Sequence, residues 1–126
     1  MIMEFRDGLL FTEIEIKHNN KTKILDNIVV DTGATKTLIS QEAVNDIGIR
    51  VSRDDKIITS YGIGGKGHAF VKNVDYINLG DFQFENYTLD FSKIEYKDIN
   101  GLLGLDLLIE ADFIIDLQKL NLYRNE

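Results

Sequence analysis

The sequence contains no cysteine, and this absence excludes disulfide bonds, thiolate chemistry and cysteine-ligated metal sites. It contains no proline either, so its turns have to be formed by glycine, asparagine and aspartate. No apolar run approaches the roughly 18 residues of a membrane span. The first seven residues lack a basic segment followed by an apolar one, so no secretory signal is expected. A cytoplasmic location without a membrane partner is therefore predicted.

Positive charge is also scarce, with 14 lysines and arginines against 21 acidic residues and a net charge of −7. This balance argues against binding to the phosphate backbone of a nucleic acid, and we interpret the acidic surface as favouring solubility. His18 and His68 have no companion at metal-ligand spacing, so no metal site is predicted. No cofactor is implied.

The pattern of apolar residues predicts an all-β fold with one or two short helices. The 126 residues suit one compact domain, residues 1–126, in which 44% hydrophobic residues can form a modest core. A short helix is predicted at residues 40–47, with Ser40 as its cap and Gly48 as its stop, and another at 105–111. Strands are predicted from period-2 alternation and apolar runs at residues 10–17, 22–30, 56–59, 68–76, 82–91, 113–116 and 120–123. A hairpin turn is predicted at residues 18–21, and the last two strands are predicted to form a hairpin.

The first candidate segment for chemistry is Asp31-Thr32-Gly33-Ala34, directly after the apolar run Ile28-Val29-Val30. A carboxylate at the end of a buried strand lies at the edge of a core, where desolvation can shift its pKa. Gly33 permits a sharp backbone turn there, and Thr32 supplies a hydroxyl group. The alternative is an ordinary turn between two strands.

The second segment, Tyr61-Gly62-Ile63-Gly64-Gly65-Lys66-Gly67, lies between two predicted strands and has four glycines in seven positions. It fits a hairpin that closes over a ligand. A phosphate-binding loop fits less well, because the spacing differs from a P-loop and no helix follows. A turn without a role is the third interpretation.

The third segment is Asn100-Gly101-Leu102-Leu103-Gly104, followed by the second predicted helix. Two large apolar residues followed by glycine indicate a close approach to another part of the backbone. The alternative is a plain core strand that ends at a helix. Asp106, near the start of that helix, is interpreted as a helix cap or a surface charge.

In this order, the three segments resemble the retropepsin-like aspartic peptidases, and the resemblance extends from about Leu9 to Tyr123. In that family a buried strand leads into Asp-Thr/Ser-Gly-Ala/Ser, a glycine-rich flap follows, and two apolar residues and a glycine precede a short helix. Residues 28–34, 61–67 and 102–108 match these parts in turn. The Gly-hydrophobic-Asp-hydrophobic-Leu pattern of residues 104–108 is similar to that of bacterial and archaeal single-domain members.

The resemblance implies a single-domain acid-protease barrel with a flap hairpin and the activity of an aspartic endopeptidase. Two carboxylates share a proton in this chemistry and activate a water molecule against the peptide bond. The sequence contains a single Asp-Thr-Gly, so a homodimer is implied in which each protomer contributes Asp31. The implied partners are a second copy of the chain and a peptide or protein substrate.

The resemblance also assigns roles to further residues. Thr32 is expected to hydrogen-bond across the pair of loops, Gly33 to present its N–H to the carboxylate, and Ala34 to line a substrate subsite. The residues expected in the flap over the substrate are Tyr61, Ile63, Gly64 and Gly65. The residues expected to pack behind the active-site loop are Leu102, Leu103 and Gly104.

A second function remains open, because a binding module could keep this fold and hold a peptide without cutting it. The intact Asp31-Thr32-Gly33 argues against that alternative, since binding alone does not require paired carboxylates. A nucleotide or phosphate binder that uses the glycine-rich loop is the weakest hypothesis.

Overall fold

The computed structural model describes residues 1–62, 65–96 and 98–124, and strands make up most of them. The elements in these residues, in chain order, are β1 Glu4–Arg6, β2 Leu9–His18, β3 Lys21–Val30, β4 Leu38–Ser40, α1 Gln41–Val44, a 3-10 helix Asn45–Ile47, β5 Lys56–Gly62, β6 Gly65–Leu79, β7 Phe82–Ser92, β8 Gly101–Leu103, α2 Leu105–Glu110, β9 Phe113–Asp116 and β10 Asn121–Arg124.

Eight of these strands form one sheet in the order β1-β2-β3-β8-β4-β7-β6-β5, and β2 also pairs with β6. The additional pairing joins β2, β3, β8, β4, β7 and β6 into a closed ring. Ile28, Ile39, Phe70 and Phe91 lie on four strands of the ring, and all four side chains are buried in the main core. The predicted all-β fold with short helices is confirmed.

The helix predicted at residues 40–47 is divided in the structure, and Ser40 lies at the predicted N-cap position without acting as a cap. Ser40 is the last residue of β4, where its N–H donates to the carbonyl of Asn100, 2.9 Å away. Its side chain makes no capping hydrogen bond to α1. The predicted stop is confirmed, because Gly48 has a φ of 83° and its N–H donates to the carbonyl of Asn45.

The two ends of the chain lie together. The N–H of Leu122 donates to the carbonyl of Met1 at 2.7 Å, and Ile2 forms a bridge with Asn121. The N-terminal segment thus extends the β9–β10 hairpin on the β10 side. That hairpin was predicted, and its second strand begins one residue later than expected. No helix among the described residues is long and apolar enough to cross a membrane.

Candidate active site

The loop that carries Asp31 begins where β3 ends beside β8. Val30 pairs with Leu103 in parallel, and the N–H of Asp31 donates to the carbonyl of Leu103 at 3.0 Å. The N–H of Gly33 donates to Oδ1 of Asp31 at 2.9 Å, and the N–H of Ala34 donates to its carbonyl at 3.1 Å. The half-buried carboxylate is therefore held by its own loop, with Thr32 exposed beside it.

The start of α2 supports this loop from behind. The N–H of Leu105 donates to the carbonyl of Ala34 at 2.8 Å. A Cβ added at Gly104 would lie 2.7–2.9 Å from backbone atoms of Lys36 and Ala34. Because those contacts are with backbone, a larger residue at position 104 would displace the loop, and the predicted close approach at this glycine is present in the structure.

Asp106 accepts the N–H of Leu107 in the first turn of α2 at 2.8 Å, as expected of a helix cap, but it is not a surface charge, because it also forms a hydrogen-bonded network with Thr37. The N–H of Thr37 donates to both carboxylate oxygens at 3.0 Å, and its hydroxyl donates to Oδ1 at 2.7 Å. The hydroxyl oxygen of Thr37 in turn accepts the N–H of Gly104 at 3.0 Å. Thr37 is buried. No local sequence signal could reveal the pair, because 69 residues separate its members.

Replacement of Asp106 by alanine is expected to destabilise the fold by about 1–3 kcal/mol, because it leaves the buried N–H and hydroxyl of Thr37 without their acceptor. Urea unfolding curves measure the change. Asp106→Asn keeps one acceptor oxygen and is expected to lose clearly less stability. Equal losses in the two variants would show that the charge, and not the hydrogen-bond acceptor, stabilises the loop.

An apolar wall lies on the outer face of the ring, next to the Asp31 loop. Phe11, Val29 and Leu102 are buried together there, apart from the main core, and half-buried Leu9 and Ile99 pack against them. Leu102 therefore does not share the position of its neighbour Leu103, which is buried inside the ring. Successive side chains of β8 point to opposite faces of the sheet, so Leu102 and Leu103 do not both pack behind the loop as predicted.

The predicted flap corresponds to the hairpin of β5 and β6. These strands are antiparallel, and their last backbone pairs are Tyr61 with Lys66 and Gly62 with Gly65. Ile63 and Gly64, predicted at the tip, lie outside the described residues. Both strands extend beyond the ranges predicted from the sequence, residues 56–59 and 68–76.

Asp90 is a buried acid near this site that the sequence analysis missed. It lies on β7 with only 4% of its surface exposed, and its Oδ2 is 3.6 Å from Nζ of Lys36. Burial raises the pKa of Asp90 above its ordinary value, and Lys36 offsets only part of that effect. The one signal in the sequence was an acidic residue between the apolar Leu89 and Phe91.

Asp90→Asn is expected to raise the melting temperature at pH 7. The pKa of this group is raised above 3.8 in the folded protein, so its burial as an anion destabilises the fold at pH values above the raised pKa. As the pH falls through the raised pKa of Asp90, the wild-type group gains its proton and the difference between the two proteins should shrink. Thermal unfolding from pH 4 to 8 measures this, and a constant difference would contradict it.

Three features of the structure together indicate an aspartic protease. They are the ring of strands, the Asp-Thr-Gly loop at the end of a buried strand and the helix behind that loop. The sequence profile described as aspartyl protease matches residues 14–107. The chain belongs to the aspartyl protease family.

The fold is also that of a solved relative, a retropepsin-like aspartic protease from Rickettsia conorii. The two structures superpose with a TM-score of 0.66 at 24% sequence identity, over 91% of this chain and 82% of that chain. No curated protein matches the chain. The retropepsin-like fold and the aspartic protease family that the sequence motifs indicated are confirmed.

Proposed function

We propose that this chain is an aspartic endopeptidase that acts as a homodimer, with residues 1–126 as one peptidase domain and Asp31 as the catalytic residue of each protomer. The geometry of the Asp31 loop is the observation that carries the proposal. Its half-buried carboxylate accepts the N–H of Gly33 at the end of a buried strand, in a chain of the aspartyl protease family. A soluble enzyme of the cytoplasm remains our expectation.

Two Asp31 carboxylates about 3 Å apart cannot both ionise readily, so the pair holds one proton. The charged member acts as general base towards a water molecule that attacks the peptide carbonyl. The protonated member donates to the carbonyl oxygen, and no covalent intermediate forms.

The surroundings of Asp31 support a peptide as substrate. The wall formed by Phe11, Val29 and Leu102 gives a substrate an apolar surface, and it includes the β3 residue two positions before Asp31 and its partner on β8. In this proposal Thr32 links the two loops and Ala34 lines the cleft. The flap residues over the substrate are Tyr61, Ile63, Gly64 and Gly65, and the residues that support the loop from behind are Leu103 and Gly104.

We place the dimer interface at the sheet formed by the chain ends, which consists of β9, β10 and the N-terminal segment at Ile2. Within the described residues, β9 pairs with β10 alone, so its other edge is available. Ile114 pairs with Tyr123, and Ile2 bridges to Asn121, so alternation places the three apolar side chains of Ile2, Ile114 and Tyr123 on one face. All three are exposed. An exposed apolar face of this kind is typical of an interface.

The occupant of this face is a second copy of the chain, because one Asp31 cannot form the catalytic pair. In the sequence, this face is also close to the elements that support the Asp31 loop. Helix α2 starts at the backbone of Ala34 and Thr35 and leads directly into β9. The helix has six residues, about 9 Å in length.

The test is sedimentation equilibrium of the purified chain together with cleavage of a mixed peptide library, read by mass spectrometry. We expect a dimer that cuts peptides. A monomer without activity would contradict the proposal. A protein that binds peptides and leaves them intact would instead support a binding module that retains the aspartic protease fold.

A further inference from the structure

Asp90 belongs to a row of side chains that crosses the outer face of the sheet. Residues that are direct partners on neighbouring strands point to the same face. The successive partners, from β5 to β2, are Lys56, Val71, Asp90, Leu38, Leu102, Val29 and Phe11. The last three form the apolar wall beside Asp31, so the carboxylate of Asp90 lies on the same face as that wall.

The burial pattern independently supports this orientation. Leu89 and Phe91, the neighbours of Asp90 on β7, are both buried in the main core inside the ring. Alternation therefore directs Asp90 outwards. Leu38 is half-buried and lies between Asp90 and Leu102 in the row.

The carboxylate of Asp90 is buried without a full set of partners. Its Oδ1 accepts no hydrogen bond from the part of the chain that the structure describes. Its Oδ2 is 3.6 Å from Lys36 Nζ, which is too long for a good hydrogen bond. A buried acceptor in this state gains free energy when a donor reaches it.

We propose that Asp90 is a specificity-determining residue of the cleft, whose carboxylate receives a basic side chain of the peptide substrate. The ammonium or guanidinium group of the substrate takes the place of Lys36 in a subsite bordered by Leu38 and Val71. The inference rests on the proposed peptidase function, because it assigns a preference to that same cleft.

The distance from Asp90 to the apolar wall and the exposure of Lys36 are compatible with a role of Asp90 in substrate recognition. Asp90 is three strands from Val29, or about 14 Å at the usual strand spacing. An extended peptide covers that distance with about four residues. Lys36 has a side chain that is 61% exposed, so it is able to swing away from the carboxylate and admit the substrate.

A purely structural role explains the residue less well. Burial raises the pKa of Asp90 in spite of the nearby Lys36 and Lys56, with Asp106 as a further negative charge. The charged group is thus unfavourable in the fold, and an apolar residue would suit the row better. Residues that are unfavourable for stability are expected at functional sites.

The test measures peptide binding to Asp31→Asn, which separates recognition from catalysis. Decapeptide libraries with lysine or norleucine at one fixed position and apolar residues elsewhere are titrated by fluorescence anisotropy. The measurement is repeated with double variants that combine Asp31→Asn with Asp90→Asn, with Lys36→Met or, as a matched control on β7, with Glu85→Gln. We expect lysine to bind about tenfold more tightly than norleucine at one or two positions.

Asp90→Asn should remove that preference without weakening norleucine peptides, Lys36→Met should enlarge it, and Glu85→Gln should leave it unchanged. Equal binding of lysine and norleucine at every position would overturn the inference. So would an equal loss for all peptides in Asp90→Asn, which indicates a positioning role only. If the lysine preference is present but the wild type cuts no peptide, the proposed function fails and the recognition site stands.

Discussion

Asp31→Asn is expected to lower kcat/KM for peptide hydrolysis by about a thousandfold or more, because it removes both the base that activates water and the acid that protonates the carbonyl oxygen. The fold should be preserved. Asp31 is half-buried, and the asparagine oxygen can still accept the N–H of Gly33. The measurement is the rate of peptide cleavage, with the melting temperature as the check on folding.

Mixing wild type with Asp31→Asn tests whether two chains share one site. At a fixed total concentration, after subunit exchange, activity should fall with the square of the wild-type fraction, because only dimers with two intact Asp31 residues are active. Activity that is proportional to the wild-type fraction would mean that each chain acts alone. Cleavage that survives the substitution in the pure variant would place the chemistry elsewhere.

Ile114→Asp is expected to weaken the dimer by about a hundredfold or more and to abolish activity at low protein concentration. In a two-fold interface the substitution brings in two carboxylates, and the juxtaposition of buried like charges costs several kcal/mol. Sedimentation velocity over a range of concentrations measures the dissociation constant, and activity should return as the concentration rises.

A matched control separates the interface from a general loss of apolar surface. Ile24→Asp changes the same residue type on β3, where Ile24 is 60% exposed. It should leave both the dimer and the activity unchanged. If Ile24→Asp dissociates the dimer while Ile114→Asp does not, the interface lies away from the sheet formed by the chain ends.

Strands and turns were predictable because their signals are local. Alternation of apolar residues located β2, β3 and the β5–β6 hairpin. The pair Asn19 and Asn20 has φ values of 49° and 66° in the predicted turn between β2 and β3. Ser40 lies at the predicted N-cap position, but its side chain makes no capping hydrogen bond, and its N–H binds the carbonyl of Asn100 at the end of β4. No local signal records a partner 60 residues away.

The Asp31 loop was also recognisable from the sequence. An aspartate directly after a buried strand, a glycine two residues later and a second glycine before a helix are features of short segments, so they can be recognised without knowledge of the fold. Their order along the chain indicated the family that the sequence profile and the fold then confirmed.

By itself, then, the sequence determined the strands of four residues or more, the Asp31 loop and the family, all of which depend on neighbours within a few residues. Only the tertiary structure decided that Asp106 binds Thr37, that Leu102 and Leu103 face opposite sides, and that Asp90 lies on the same face as the apolar wall. These relations depend on which strands lie side by side and in which register. The order of strands is set by the packing of the whole core, and no short segment records it.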